Sequence, residues 1–308
     1  MGQILEKVHA KSKLVLNKVI TNTGLFIFTH NRKSKKTIRV KNIFYGKYSL
    51  QKFDVIAPIG EGTLPVVFYF HGGGWSAGDK YGYTSFCQSL TEKKYIVCNV
   101  DYRLLPKVSV KDCINDCMLA IKFFAKKHKR ILKDAGIRAT PNFQNTYLVG
   151  DSAGAHLSSL IAGYLTTNHK KLPIHVSALG LYYGVFDFEH LDSDPSPIMQ
   201  DLNKYWLIAE KKPRELYQKI SSTNYVSKNF PPCFLTSGAV DKLHLQTETF
   251  VNVLMEHNVE YHYLNFKKSR KDAEHAFLNA KFLPSAKQAF KELTEFFEKY
   301  RIWKKMKK

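Results

Sequence analysis

Short apolar runs rich in β-branched and aromatic residues alternate along the chain with amphipathic stretches. The runs predict buried strands at Val66–Phe70, Tyr95–Val100, Thr146–Val149, Ala178–Tyr183, Cys233–Thr236 and Tyr261–Phe266. The amphipathic stretches predict helices at Tyr83–Lys93, Val110–His128, Ala153–Thr167, Leu243–His257 and Ala286–Tyr300. Alternation of buried strands with helices is typical of a parallel sheet that is covered on both faces.

Two parts of the chain depart from this alternation. Residues 1–50 begin with a helical or irregular piece and end in Ile38–Tyr45, which we expect to pair antiparallel with Lys52–Ala57 ahead of the parallel strands. Residues 190–230 contain a predicted helix at Ile198–Ile220. This second stretch is about forty residues long, where a connection from strand to helix usually needs only a few. We interpret it as an insertion that forms a lid or cap.

The composition supports a folded chain and excludes several classes of protein. Of the 308 residues, 44% are hydrophobic and 13% are aromatic, which is enough to build a core and too much for a disordered chain. The length allows two ordinary domains or one large α/β domain with an insertion. The five cysteines are an odd number without a CxxC pair, so we expect neither a disulfide framework nor a zinc site.

The charge of the chain is strongly basic. It has 47 Lys and Arg against 26 Asp and Glu, a formal net charge of +21, which can attract nucleic acid, membrane surfaces or acidic substrates. The basic residues are spread from Lys7 to Lys308, however, and no nucleic-acid-binding motif accompanies them. We interpret the charge as a lysine-rich surface and expect no specific nucleic-acid partner. Salt-dependent binding to anionic surfaces stays open as an added property.

We expect no secretory signal in the first residues of the chain. Residues 1–18 lack the long apolar segment and the small-residue cleavage site of a secretory signal. The most apolar stretch, Leu14–Phe28, is interrupted by Asn17, Lys18 and Asn22 and is too short to cross a bilayer. We therefore predict no transmembrane segment and a cytoplasmic location.

The first candidate for chemistry is the segment Gly150-Asp-Ser-Ala-Gly154, which lies between a predicted strand and a predicted helix. A Gly-x-Ser-x-Gly motif in this context is the nucleophile elbow of serine hydrolases. The tight turn pushes the serine hydroxyl outward, and the flanking glycines allow neighbouring backbone to approach closely. The segment therefore predicts Ser152 as a nucleophile.

Three consecutive glycines follow another predicted strand, in His71-Gly-Gly-Gly-Trp75. Each glycine costs backbone entropy, so an ordinary turn would not need three. Amide groups that donate hydrogen bonds to a developing oxyanion explain them better, and one such donor is typically worth about 10²–10³ in kcat. We predict an oxyanion hole formed by the amides of Gly73, Gly74 and Ala153. We expect His71 to anchor the loop by hydrogen bonds.

A serine nucleophile needs a base, and the base needs a carboxylate that orients it. Asp241 and His275 each follow a predicted strand in the second half of the chain, so both are expected at the carboxyl edge of the sheet. The chain order of serine, acid and histidine agrees with the elbow motif. Asp187, which follows an earlier strand, is the main rival for the acid. We predict that Asp241 and His275 complete a triad with Ser152.

Taken together, these motifs resemble the α/β-hydrolase superfamily, and within it the esterases similar to hormone-sensitive lipase. The resemblance runs from about residue 50 onward and rests on six blocks in the family's order: His71–Trp75, Asp101–Pro106, Asp116, Gly150–Gly154, Gly238–Asp241 and His275–Phe277. It implies a mostly parallel eight-stranded sheet with helices on both faces and a helical cap. It also implies a catalytic domain over residues 51–308, with residues 1–50 and the insertion at about 190–230 contributing the cap.

These observations together predict a serine carboxylesterase that acts on short- to medium-chain acyl esters and needs no metal or organic cofactor. We expect Trp75, Tyr182 and Tyr183 to line an apolar substrate pocket, although packing in the core explains these aromatic residues equally well. The expected partner is a small-molecule ester, and a homodimer is allowed. Alternatives are an amide or formamide hydrolase or a sugar-ester deacetylase with the same triad. A non-catalytic small-molecule receptor on this fold is a further alternative.

Overall fold

The computed structural model describes residues 34–167, 171–190 and 213–301. Within them, one sheet contains eight strands: β1 Thr37–Phe44, β2 Lys52–Pro58, β3 Gly62–Phe70, β4 Ile96–Val100, β5 Ala139–Asp151, β6 Val176–Tyr182, β7 Cys233–Gly238 and β8 Tyr261–Phe266. Their order in the sheet is β1-β2-β4-β3-β5-β6-β7-β8. β2 is antiparallel to β1 and β4, and all other neighbours are parallel. The predicted mostly parallel eight-stranded sheet is confirmed.

Helices cover both faces of the sheet. In the described residues they are α1 Thr84–Glu92, α2 Val110–Asp134, α3 Ala153–Thr166, α4 Pro213–Ile220, α5 His244–Glu256 and α6 Pro284–Lys299, with 3₁₀ turns at Lys80–Tyr83, Ser222–Tyr225 and Phe277–Asn279. Because successive side chains of a strand point to opposite faces, β3 contributes to both layers. Phe68 packs in the cluster that contains α2, α3 and α5, whereas Tyr69 packs in the cluster that contains α1 and α6.

Part of the predicted cap lies outside the described residues. This applies to residues 1–33 of the N-terminal segment and to residues 191–212 of the insertion. Of the predicted helix Ile198–Ile220, the described part is helical as α4. No helix in the described ranges is long and apolar enough to cross a membrane. The five cysteines are buried free thiols.

The sheet brings the motif-bearing loops to one edge. β3 ends at Phe70, directly before the glycine-rich loop, and β5 ends at Asp151, directly before the elbow serine. Phe70 pairs with Gly150 across these neighbouring parallel strands, so the loop and the elbow lie side by side. β7 and β8 follow in the same direction and carry the next two candidate segments beyond their carboxyl ends. The carboxyl edge of an open parallel sheet is where sites form in this class of fold.

Candidate active site

Ser152 occupies a sharp turn between β5 and α3. Its backbone has φ +51° and ψ −118°, a conformation that few non-glycine residues adopt and that costs free energy. Its amide donates a hydrogen bond to the carbonyl of Tyr182, 2.9 Å away on the neighbouring strand. The turn has no room for side chains at the two motif glycines. A Cβ at Gly154 would overlap the carbonyl oxygen of Phe70, and one at Gly150 would overlap the backbone of Gly154.

The structure brings together the three side chains that the sequence predicts as a triad. Nε2 of His275 lies 3.1 Å from Oγ of Ser152, and Nδ1 of His275 lies 3.0 Å from Oδ2 and 3.1 Å from Oδ1 of Asp241. The Asp241 carboxylate is buried and also accepts a hydrogen bond from the Leu243 amide. Asp187, the rival acid, pairs instead with the exposed His190.

Two opposing effects set the pKa of His275. Burial of the imidazole lowers this pKa, because a charged ring is poorly solvated there. The charge and the hydrogen bond of Asp241 raise it, as does the charge of Asp151, and together these effects outweigh the burial, so the net shift is upward. The side chain is nevertheless 28% exposed, and its Nε2 faces the Ser152 hydroxyl at 3.1 Å. The histidine is therefore placed to accept a proton from the serine and to carry the resulting charge beside a carboxylate.

The glycine-rich loop adopts a conformation that only glycine tolerates well. Gly73 has φ +114° and Gly74 has φ +57°, and both are half-buried next to the elbow. A Cβ at Gly73 would overlap the carbonyl of Ala77. Ala153 is the first residue of α3, so its amide is one of the helix N-terminal donors that have no intrahelical acceptor. These are the three amides that the sequence predicts for the oxyanion hole.

Asp151 connects this loop to the elbow by hydrogen bonds, a role that the sequence motifs do not indicate. Its buried Oδ1 accepts hydrogen bonds from the hydroxyl of Tyr69 at 2.7 Å and the amide of Gly72 at 2.8 Å. Its Oδ2 accepts one from the hydroxyl of Tyr83 at 3.0 Å. Burial raises the pKa of this carboxyl, while the hydrogen bonds oppose the shift. The signal in the sequence was an acidic residue inside an otherwise small and apolar turn.

His71, expected to anchor the loop, is buried against aromatic rings. Its imidazole stacks on Tyr102 with ring centroids 4.3 Å apart, and the Tyr102 hydroxyl donates to the His71 carbonyl at 2.7 Å. Its Nδ1 lies 2.7 Å from the Gly72 carbonyl, and its Nε2 lies 4.0 Å from Asp101. The ring thus contacts the loop's own backbone and stays apart from the proton path between serine and histidine.

The three aromatic residues predicted for the substrate pocket have different surroundings. Tyr182 lies in the core, where its ring contacts Phe86 and Phe234 and its hydroxyl points to the carbonyl of Ala289. The side chain of Tyr182 is therefore packed in the core cluster that contains α1 and α6, while its carbonyl accepts the hydrogen bond from the Ser152 amide. Tyr183 is also buried, but its ring packs edge-on against the His275 imidazole, with the two ring centroids 4.9 Å apart.

Trp75, the third of these residues, is buried beside His156, a histidine that no sequence motif indicates. Its indole Nε1 donates a hydrogen bond to Nδ1 of His156 at 3.1 Å, and its ring lies 5.8 Å from that of Phe188. His156 is fully buried on α3, one turn after Ser152. Its four-residue spacing from the elbow serine was the available signal, since residues four apart share a helix face.

Two sequence comparisons relate the chain to ester hydrolases. The probable carboxylic ester hydrolase LipM of Mycobacterium tuberculosis is 32% identical over 194 residues, which cover 59% of this chain and 42% of LipM. The probable isoprenylcysteine alpha-carbonyl methylesterase ICMEL2 of Arabidopsis thaliana is 33% identical over 120 residues, or 39% of this chain and 26% of that protein. The chain thus spans less than half the length of these two curated relatives.

A solved structure and a family model complete the comparison. Esterase B from Lactobacillus Rhamnosis (HN001) superposes with a TM-score of 0.83 over 96% of each chain at 20% identity, which establishes a shared fold. Residues 53–253, well over half of the chain, match the family model described as BD-FAE. That segment contains the glycine-rich loop, the elbow and the candidate acid. The chain therefore belongs to the BD-FAE family and has the α/β-hydrolase fold.

Proposed function

We propose that this protein is a serine carboxylesterase that hydrolyses short- to medium-chain acyl esters. The observation that carries the proposal is the His275 imidazole, which lies within 3.1 Å of both the Ser152 hydroxyl and the Asp241 carboxylate. These are hydrogen-bond distances for proton transfer from serine to histidine. The names of the two curated relatives, a carboxylic ester hydrolase and a methylesterase, support an ester as the substrate.

In the first half of the reaction, Oγ of Ser152 attacks the ester carbonyl carbon while Nε2 of His275 accepts its proton. The Asp241 carboxylate accepts a hydrogen bond from Nδ1–H, which fixes the tautomer that leaves Nε2 free to accept a proton. The same carboxylate then stabilises the imidazolium. The Asp241 carboxylate is the main cause of the upward pKa shift of His275, so this imidazole is more basic than a free one.

The carbonyl oxygen becomes negatively charged in the tetrahedral intermediate. In our proposal it accepts hydrogen bonds from the amides of Gly73, Gly74 and Ala153. Ala153 begins α3, and the dipole of that helix adds a partial positive charge at the same point. Backbone held in place by the fold needs little reorganisation when the charge develops, which lowers the barrier to the intermediate.

Collapse of the intermediate completes the exchange. His275 returns its proton to the leaving alkoxide, the C–O bond of the ester breaks, and the acyl group stays on Ser152. Water then attacks the acyl-enzyme with His275 as base, and a second tetrahedral intermediate forms beside the same amides. Its collapse expels Oγ, which takes the proton back from His275. The products are a carboxylic acid and an alcohol, and no step uses a cofactor.

The experiment is a panel of p-nitrophenyl esters from acetate to palmitate, assayed with the wild type and with Ser152→Ala. We expect the highest kcat/KM among the short and medium chains, and a fall in kcat of roughly 10⁶-fold in the variant. A variant that keeps a substantial share of wild-type turnover would overturn the proposal. An anilide of the same acyl group tests the choice of ester over amide. Faster hydrolysis of the anilide would assign the triad to an amide hydrolase.

The proposal extends to the surroundings of the site. We place the catalytic domain at residues 51–308, with residues 1–50 and the insertion at about 190–230 as its cap. The protein acts on a small-molecule ester, works in the cytoplasm and is compatible with a homodimer. Size-exclusion chromatography with light scattering tests the oligomeric state, and a fusion to a fluorescent protein tests the location.

A further inference from the structure

His156 connects two parts of the fold through a single neutral ring. Trp75 Nε1–H can only donate, so Nδ1 of His156 is the acceptor of their 3.1 Å hydrogen bond. The carbonyl of Ile220, at the end of α4, can only accept, so Nε2 carries the proton that bonds to it at 2.7 Å. The two partners fix the tautomer. Burial lowers the pKa of His156 to about 4, which keeps the ring neutral near pH 7.

The indole that His156 holds is part of the glycine-rich loop. Trp75 directly follows Gly74, and its own φ of +56° is unusual for a bulky residue. Its ring is buried against both His156 and Phe188, with centroids 5.2 and 5.8 Å away. Its carbonyl accepts a hydrogen bond from the Leu105 amide at 3.0 Å. A strained residue persists only when its surroundings hold it in place, and these contacts do so.

The same ring is also fixed relative to the nucleophile. His156 lies one turn into α3, and its amide donates to the carbonyl of Ser152 at 3.2 Å. A shift of the indole would turn the peptide that joins Gly74 to Trp75, since the two residues are covalent neighbours. Through the backbone dihedrals of Gly74, it would also move the preceding peptides, which carry the N–H groups of Gly73 and Gly74. The hydrogen bond from Trp75 to Nδ1 of His156 therefore links the glycine-rich loop to α3. It fixes the orientation of the Gly73 and Gly74 amides relative to the helix that begins at the elbow.

We propose that His156 is a positioning residue, which holds the Trp75 indole and thereby the amides of Gly73 and Gly74 in the orientation that the oxyanion requires. The inference rests on the proposed esterase function. The two hydrogen bonds of the imidazole have different roles. The bond to Trp75 affects catalysis, whereas the bond to Ile220 stabilises the fold.

Three variants separate these roles. Trp75→Phe keeps an aromatic ring and removes the indole N–H. His156→Asn places an amide oxygen near the position of Nδ1, so it retains an acceptor for Trp75 and loses the bond to Ile220. His156→Gln places its terminal amide near the position of Nε2, so it retains a donor for Ile220 and leaves the indole unpaired. His262→Gln, at an exposed histidine that pairs with Glu292, is the matched control.

The readouts are kcat and KM for p-nitrophenyl acetate, the inhibition constant of a trifluoromethyl ketone, and Tm. The ketone adds to the serine and forms an oxyanion, so its affinity reports on the amide donors. For W75F and H156Q we expect kcat to fall and the inhibition constant to rise by about tenfold, the value of one hydrogen bond, with KM unchanged. For H156N and H262Q we expect kcat and the inhibition constant to stay near their wild-type values. We also expect a lower Tm in H156N.

The outcomes distinguish this inference from the proposed function. A wild-type protein without activity on p-nitrophenyl acetate would overturn the esterase and this inference with it. An active wild type whose W75F and H156Q variants keep kcat and ketone affinity would overturn the inference alone. Equal kcat losses in H156N and H156Q would also overturn it, because the role of the imidazole would then be only to stabilise the fold. If a histidine variant fails to fold, the kcat and the ketone affinity of W75F are sufficient to test the inference.

Discussion

Oγ of Ser152 lies 3.1 Å from Nε2 of His275, although 123 residues separate the two along the chain. The sheet explains how they meet. Ser152 follows β5 and His275 lies beyond β8, and the parallel strands from β5 to β8 all end at the same edge. β7, between them in the sheet, brings Asp241 to the same place. The order of the strands therefore sets the distance between serine and histidine. Substitutions on the surface that leave this order intact should leave the distance unchanged.

Asp241→Asn tests the carboxylate of the triad. Asparagine keeps the shape but cannot stabilise the imidazolium, and its amide group favours the wrong tautomer of His275. We expect kcat for p-nitrophenyl acetate to fall by about 10⁴-fold, with little change in KM. The control is Asp187→Asn, which removes a carboxylate that pairs with His190. If the Asp187 variant loses as much activity as the Asp241 variant, the assignment of the acid is wrong.

The pH dependence of kcat/KM tests the electrostatics of His275. The base works only when neutral, so activity is expected to rise with pH to a plateau. The midpoint should lie above the ordinary histidine pKa of 6.5, because Asp241, with a smaller contribution from Asp151, raises the pKa more than burial lowers it. D241N should move the midpoint to lower pH, since it removes the charge that favours the imidazolium. A midpoint that is the same in both enzymes would contradict this view of the pair.

His156 predicts a loss of stability at low pH. Its pKa is about 4 in the folded protein and 6.5 when the ring is exposed. Between these pH values the unfolded state binds a proton at His156 and the native state does not. The free energy of unfolding should decrease as pH falls from 6.5 towards 4. At about 1.4 kcal/mol per pH unit, the loss from this one group is about 2 kcal/mol at pH 5.

Urea unfolding of the wild type and His156→Gln at pH 7 and pH 5 measures that loss. All other histidines are common to both proteins, so the difference between the two pH effects isolates His156. The wild type should lose about 2 kcal/mol more than the variant between these pH values. An equal decrease in both proteins would show that His156 is not held neutral by burial.

Gly154→Ala tests the packing of the elbow against β3. The added methyl group would overlap the carbonyl oxygen of Phe70, and this backbone atom cannot move without disturbing the sheet. We expect a destabilisation of about 3 kcal/mol or more, measured by urea unfolding. Gly136→Ala is the control, because that glycine has φ +66° and open space around it. Strain alone should cost it about 1–2 kcal/mol. Equal losses would argue against steric overlap at Gly154.

The sequence predicts the order of elements well, because each buried strand is a continuous apolar run. The predicted ends of helices and strands differ from the observed ends where the apolar pattern is weak. β5 begins at Ala139, not at Thr146, because Ala139–Asn142 pair with the first residues of β3. This half of the strand is polar and gives no apolar run. α2 continues from the predicted end at His128 to Asp134, since Ile131 and Leu132 pack on the core beyond a run of basic residues.

The site is predictable where a motif fixes local geometry and chain order fixes the rest. Ser152, Asp241 and His275 belong to this class. The core packing of the Tyr182 side chain was not predictable, because the side chains of strand residues alternate between faces, and the sequence does not say which face an aromatic residue at the strand end takes. The roles of Asp151 and His156 arise from partners more than sixty residues away, Tyr69 for one and Ile220 for the other. The local sequence marks both positions, but it does not identify these distant partners.

The reactivity of Ser152 itself is the most direct test of the proposed function. A fluorophosphonate reacts with a serine only when a neighbouring base activates the hydroxyl and amide donors accept the developing charge. Intact-mass spectrometry of the wild type after treatment should show a single adduct, located by peptide mapping at Ser152, and the Ser152→Ala protein should remain unmodified. An unlabelled wild type, or an adduct on another residue that persists in the variant, would contradict the proposal.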